Sequence, residues 1–151
     1  MADSLSVPLQ LQLLTLLCFS ATASPLIHGS ISPNMFSSSV QRRIAERVYA
    51  YLDEFHRPPK NHLSDLIEDI LDNGGSSNDK SSPEAFTDVA ENIIGLKNQI
   101  DEAFVISQLE SFVRQQALRT GIVRASEAVQ SGDLVGAEAA MAAAMRTQLS
   151  V

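Results

Sequence analysis

The chain has 151 residues, of which 44% are apolar and 5% aromatic, and none is tryptophan, so aliphatic side chains must build its core. This length suits one ordinary domain, and the composition favours helices over an all-β sandwich. The net charge of −7 argues against autonomous DNA binding, and the single cysteine, Cys18, excludes an internal disulfide and cysteine-rich zinc sites.

The leucine-rich segment at 9–26, LQLQLLTLLCFSATASPL, allows two interpretations. As a secretory signal it would end at the small residues of 21–23, which have the spacing of a cleavage site. As the first helix of a folded domain it would begin after Ser6 as N-cap, with Pro8 in its first turn. A signal usually carries positive charge before its apolar block, whereas the first basic residue here is Arg42. The charge pattern therefore favours a helix and a cytoplasmic chain, with secretion after a signal peptide at 1–23 as the alternative.

Two amphipathic helices are predicted after a stretch at 24–39, whose prolines and glycine permit only a short helix or turns. The segments QRRIAERVYAYLDEF and NHLSDLIEDILDN both repeat apolar residues with a period of 3.6. The proline pair at 58–59 ends the first helix, and Gly74 follows the second. The predicted buried faces are Ile44, Val48, Tyr51, Leu52 and Phe55, then Leu63, Leu66, Ile67, Ile70 and Leu71.

Another helix is predicted to begin at Ser82-Pro83-Glu84, which supplies a cap, a proline at the first position and an acid in the first turn. The polar residues before it predict a flexible loop at 73–82. The predicted buried face consists of Phe86, Val89, Ala90, Ile93 and Leu96.

The last part of the chain predicts a helical hairpin at 101–147, after an N-terminal tail at 1–8 and a helical bundle at 9–100. Gly132 is suited to end the long first helix, and Asp133 to cap the second, whose many alanines permit close helix packing or a subunit interface. The apolar face of the long helix is predicted to include Val105, Leu109, Phe112 and Val113, continued by Leu118, Ile122, Ala125 and Val129. The expected fold is all-α: an orthogonal or antiparallel helical bundle followed by a C-terminal helical hairpin.

The residues that could take part in catalysis or metal binding form no arrangement typical of an enzyme. His28, His56 and His62 lack the i, i+4 spacing of a helical metal site and are interpreted as solvated loop histidines. Asp65, Glu68 and Asp69 are interpreted as a solvated helix face, Cys18 as an inert core thiol, and Arg114, Arg119 and Arg124 as a charged helix face. No phosphate-binding G-x-x-x-x-G-K-[ST] loop occurs. No catalytic, cofactor or metal site is predicted.

The order of the elements resembles the N-terminal domain of DnaB-type replicative DNA helicases, particularly divergent phage-like members. The resemblance begins with the leucine-rich LLTLLCF helix and the short SPLIHG element, followed by Pro33 to Phe36 and a helix starting near Arg43 and Ile44. It continues through HLSDLIEDIL to the arginine-bearing long helix and its GD turn, and so covers about 9–146. The loop at 73–82 and the alanine-rich last helix depart from the family pattern.

The resemblance implies a non-catalytic assembly and regulatory domain that supports ring oligomerisation in DNA replication and docks a primase or helicase loader. It implies self-association, a motor domain in cis if the chain is part of a longer helicase, only indirect contact with DNA, and no membrane. A free-standing relative and a stand-alone helical adaptor for protein–protein binding are the alternatives. The expected interface residues in the hairpin are Leu109, Phe112, Val113, Met141 and Met145.

Overall fold

The computed structural model describes residues 5–73 and 83–146, and every regular element in these two ranges is helical. The prediction of an all-α fold is thus confirmed. The chain divides into two compact units, Met1–Val105 and Ile106–Val151, and the division falls inside a helix rather than before it. The predicted flexible loop at 73–82 lies, apart from Asn73, outside the described residues.

The first unit is a bundle of five helices and the beginning of a sixth. The α-helices are α1 (Val7–Phe19), α2 (Ala23–Ser30), α3 (Ser39–Phe55), α4 (Leu63–Asn73) and α5 (Pro83–Leu96). Short 3₁₀ turns at Pro33–Met35 and Lys60–His62 precede α3 and α4. The long helix α6 (Glu102–Gln130) starts in this unit, and α7 (Leu134–Met145) lies in the second.

Helix α1 is the central element of the bundle, in contact with α2, α3 and α5. Leu13, Leu14 and Leu17 have no exposed surface, and burying each such side chain stabilises the fold by about 1.5–3 kcal/mol. The helix begins as the sequence predicts, because the Ser6 side chain accepts a hydrogen bond from the backbone N–H of Leu9 at 3.4 Å. Its apolar residues therefore form the core of the bundle.

Helices α2, α3 and α5 contact α1, and α4 packs against α3 and α5. Arg47 Nε donates to Asp69 Oδ2 at 2.7 Å, which ties α3 to α4 on their polar sides. The prediction is wrong for Phe55, the last residue of α3, which is 42% exposed and contacts only the ring of Tyr51 among the aromatic residues. Four more predicted residues are only partly buried: Leu71, Val89, Ala90 and Leu96. The predicted side chains that are buried are Ile44, Val48, Tyr51, Leu52, Leu63, Leu66, Ile67, Ile70, Phe86 and Ile93.

A buried glutamine fixes the start of α1 against the segment that leads into α3. Gln10, only 2% exposed, donates from Nε2 to the backbone carbonyl of Leu5 at 2.8 Å. Its Oε1 accepts from the backbone N–H of Ser37 at 2.9 Å and from the Ser37 hydroxyl at 3.0 Å. Burying this amide costs little because its oxygen and one of its N–H groups have partners. Gln10, which interrupts the apolar pattern of the sequence, thus serves as a buried cross-link.

Replacing Gln10 with Leu should lower the free energy of unfolding by about 2 kcal/mol, because the Leu5 carbonyl loses its partner in a buried place. Urea denaturation followed by circular dichroism measures this change. The matched control is Gln12→Leu on the same helix, at a side chain that is only partly buried, where we expect a change of no more than about 0.5 kcal/mol. Equal effects of the two substitutions would contradict the cross-link.

Burial also suppresses ionisation inside the bundle. Desolvation raises the pKa of the fully buried Cys18 thiol and the pKa of the Tyr49 phenol well above their ordinary values. The Tyr49 hydroxyl donates to the backbone carbonyl of Ile31 at 2.6 Å. The sequence-based prediction that Cys18 is a core residue is confirmed.

Burial raises the pKa of Cys18 in the folded protein, so the thiol stays neutral there at pH values at which it ionises in the unfolded chain. The free energy of unfolding is therefore unaffected below the pKa of the unfolded thiol and falls as the pH rises above it. Above about pH 8.5, Cys18 should lower the free energy of unfolding by about 1.4 kcal/mol per pH unit. The slope is measured by urea denaturation between pH 7 and pH 10, with Cys18→Ala as the control. The variant should be less stable at neutral pH but should lack this slope, and parallel profiles for both proteins would refute the assignment.

Candidate protein interface

The second unit is a helical hairpin closed by a tight turn. Gly132 adopts a positive φ of 83°, where a side chain would be strained, and its backbone N–H donates to the Val129 carbonyl at 3.0 Å. The Asp133 side chain caps α7 by accepting from the backbone N–H of Gly136 at 2.8 Å. Gly132 and Asp133 therefore have the roles that the sequence predicts, and they direct the chain from α6 into α7.

The two helices of the hairpin approach each other closely at Gly121. A methyl group at this position would lie 2.5 Å from the Cβ of Ala144 and 3.2 Å from the carbonyl oxygen of Ala140. Such distances are too short for a real side chain, so glycine permits this approach. The alanines of α7 thus serve helix-to-helix packing at this point, one of the two uses that the sequence suggests.

The outer surface of the hairpin is strongly apolar. Among the 12 residues of α7 the only charged side chain is that of Glu138. A helix that is apolar around its whole circumference is usually buried, yet Leu134, Val135 and Met145 are 65%, 79% and 67% exposed. Ile122, Val123 and Val129 of α6 are also more than half exposed. We call these six residues the exposed hairpin surface.

The five interface residues predicted from the sequence are distributed over different environments. Leu109 is fully buried by its own chain, whereas Met145 belongs to the exposed hairpin surface. Phe112, Val113 and Met141 are partly exposed. Their assignment to a subunit interface stays a prediction.

Sequence reasoning did not identify Leu134 and Val135 as interface candidates. They immediately follow the capping Asp133, and a residue in the first turn of a helix can point away from the neighbouring helix whatever its hydrophobicity. The available signal was the composition of α7, which has too few polar residues to cover its outer side. Composition alone does not tell which of its apolar residues face outwards.

Most candidate chemical residues of the sequence belong to the first unit, whereas Arg114, Arg119 and Arg124 lie on α6 of the hairpin. His62 pairs with Asp65 at 3.1 Å on the exposed start of α4. The interpretation as a solvated loop residue is wrong for His28, which lies in α2, stacks on Tyr49 and is held 2.9 Å from Asp53. Within 5–73 and 83–146, no three His, Cys, Asp or Glu side chains are placed to hold a metal ion.

None of the helices in the described ranges has both the length and the apolar character needed to cross a lipid bilayer. The exposed apolar residues of the hairpin are therefore not part of a membrane-spanning helix in the described residues.

Compared with models of protein families, with curated proteins and with solved structures, the chain matches none. The interpretation of its function accordingly depends on its own residues and their arrangement.

Replacing Gly121 with Ala should weaken the hairpin by about 1–3 kcal/mol, because the new methyl group overlaps Ala144. The local stability is measured by hydrogen exchange of the α7 backbone amides. Gly95→Ala is the matched control, since Gly95 lies near the end of α5 with no neighbouring atom within 4 Å of the added methyl group. There we expect stabilisation by up to about 1 kcal/mol from the higher helix propensity of alanine. Unchanged exchange in α7 of the Gly121 variant would contradict the close approach.

Proposed function

We propose that the chain is a non-catalytic assembly domain that associates with copies of itself through the exposed hairpin surface. The observation that carries this proposal is the exposure of Leu134 and Val135 on a helix with almost no polar residues. We take these two side chains, adjacent in the sequence, to be part of an apolar patch; large patches of this kind are uncommon on monomeric proteins and typical of protein–protein contacts. A second copy offers the same surface, so two hairpins cover each other's apolar residues in a symmetric contact.

The order of the elements supports a more specific proposal, an N-terminal domain of a DnaB-type replicative helicase. The leucine-rich α1, the short α2, the turn at Pro33–Met35 with the buried Phe36, and the long α3 follow one another as that resemblance implies. The hairpin of α6 and α7 with its Gly132-Asp133 turn completes the pattern. In this role the domain supports ring assembly, docks a primase or helicase loader, and touches DNA only indirectly.

A cytoplasmic location is part of the proposal, and the burial of α1 supports it. Cleavage after Ala23 would remove Leu13, Leu14 and Leu17, each of which has no exposed surface in the bundle. The remaining helices would then expose the apolar faces that now enclose α1. The secreted alternative therefore requires the mature chain to fold around a different core.

Self-association should be concentration-dependent and should be abolished by Val135→Glu, because a charge placed in an apolar contact must be desolvated. Sedimentation velocity over a micromolar concentration series measures the effect. Val135 is 79% exposed, so this variant should keep the helicity and thermal stability of the separate chain. The control is Ile94→Glu, a similar change at an exposed residue of α5, which should leave the association intact. A wild-type chain that stays monomeric, or equal effects of the two substitutions, would contradict the proposal.

The helicase assignment has a separate test in the reading frame beyond the codon for Val151. We expect it to continue into a strand, a G-x-x-x-x-G-K-[ST] loop and a helix, the start of an ATP-driven motor. A stop codon with no motor gene nearby would contradict the helicase assignment. Self-association through the hairpin would remain open to the sedimentation experiment.

A further inference from the structure

A largely apolar cleft lies in the first unit, within residues 21–58. It has a volume of about 320 Å³ and is bounded by α2 and by the chain that leaves the end of α3. Pro25, Leu52 and Pro58 contribute apolar walls. An apolar cleft of this size with a few convergent polar groups is the usual form of a small-molecule site.

One polar group of the cleft is held rigidly by the fold. The His28 ring stacks on Tyr49 with 4.5 Å between ring centroids, and its Nε2 lies 2.9 Å from Asp53 Oδ1. Tyr49 is itself anchored by its hydrogen bond to the Ile31 carbonyl. His28 therefore has a fixed orientation, and the negative charge of Asp53 has a hydrogen-bonding partner within the cleft wall.

The lining of the cleft also includes a cationic residue. Arg57 lines the cleft, with its guanidinium 5.6 Å from the centre of the Phe55 ring. In the part of the chain that the structure describes, no carboxylate forms an ion pair with Arg57. Arg57 is thus a positive charge at the cleft that is available to an anionic ligand.

Two residues near Arg57 have a backbone conformation that glycine adopts more easily than other residues. His56 has φ 57° and Lys60 has φ 51°, the only non-glycine residues with positive φ in the described ranges. This left-handed conformation is unfavourable for residues with a Cβ and free of that penalty for glycine. His56 is the left-handed C-cap of α3, and its backbone N–H donates to the Leu52 carbonyl at 2.8 Å. It also lines the cleft beside Arg57.

We propose that this cleft binds a small organic anion, a carboxylate or phosphate group attached to a compact apolar body. Arg57 would bind the anionic group through charge-assisted hydrogen bonds, with His56 as a second donor. The apolar body would lie against Pro25, Leu52 and Pro58. The proposal does not depend on self-association of the hairpin, because all of these residues belong to the first unit.

The test is a titration of the full ¹⁵N-labelled chain with benzoate, phenyl phosphate and the uncharged benzamide at constant ionic strength. Both anions share an apolar ring, so their relative affinities distinguish a carboxylate from a phosphate site. We expect saturable shifts of the backbone resonances around His28 and at 52–57 with at least one anion, and binding of benzamide that is weaker by about tenfold or more. Absence of saturable shifts with both anions, or equal binding of benzamide, would overturn the proposal.

Two variants and a control assign the binding to these residues. Arg57→Gln should weaken binding of the anion about tenfold or more, whereas Arg42→Gln, at the other end of α3, should leave it unchanged. His56→Gly should bind more weakly while its melting temperature stays equal or rises, since glycine relieves the left-handed backbone. Undiminished binding by a folded Arg57 variant would overturn the site. A His56→Gly protein that is less stable yet binds normally would show that this imidazole serves the fold alone, and would overturn its role as second donor.

Discussion

A helix that is apolar on every side must be covered, and this constraint organises the whole molecule. Helix α1 satisfies it within the chain, because α2, α3 and α5 contact it and leave Leu13, Leu14 and Leu17 without exposed surface. Helix α7 is as poor in charged residues, but Leu134 and Val135 remain largely exposed. The same physical rule that explains the bundle therefore predicts a partner for the hairpin.

Much of the fold follows from local signals in the sequence. The N-cap Ser6, the first-turn prolines of α1 and α5, and the Gly132-Asp133 turn each act over only a few residues, so they can be recognised without the tertiary structure. The same is true of the 3.6-residue periodicity in α3 and α4. The bounds of these elements follow closely from the pattern for this reason.

The features that matter most for function depend on distant contacts, and sequence patterns did not reveal them. The roles of Gln10 and His28 depend on residues that lie 25 or more positions away, Ser37 and Asp53. The left-handed conformation of His56 was also not recognised, because no glycine marks the end of α3. On the hairpin, Leu109 and Val135 are both apolar, yet one is completely buried and the other 79% exposed. Only the positions of the neighbouring helices determine which of these two residues is buried.

The most direct test of the central claim is to measure which apolar side chains become covered when the protein is concentrated. A soluble paramagnetic agent broadens the methyl resonances that it can reach, so it can be applied to methyl-labelled chain at low and at high protein concentration. We predict that Leu134 and Val135 become protected as the concentration rises, while Val7 and Ile94, exposed apolar residues of the first unit, remain accessible. Equal accessibility of Leu134 and Val135 at both concentrations would contradict self-association through the hairpin.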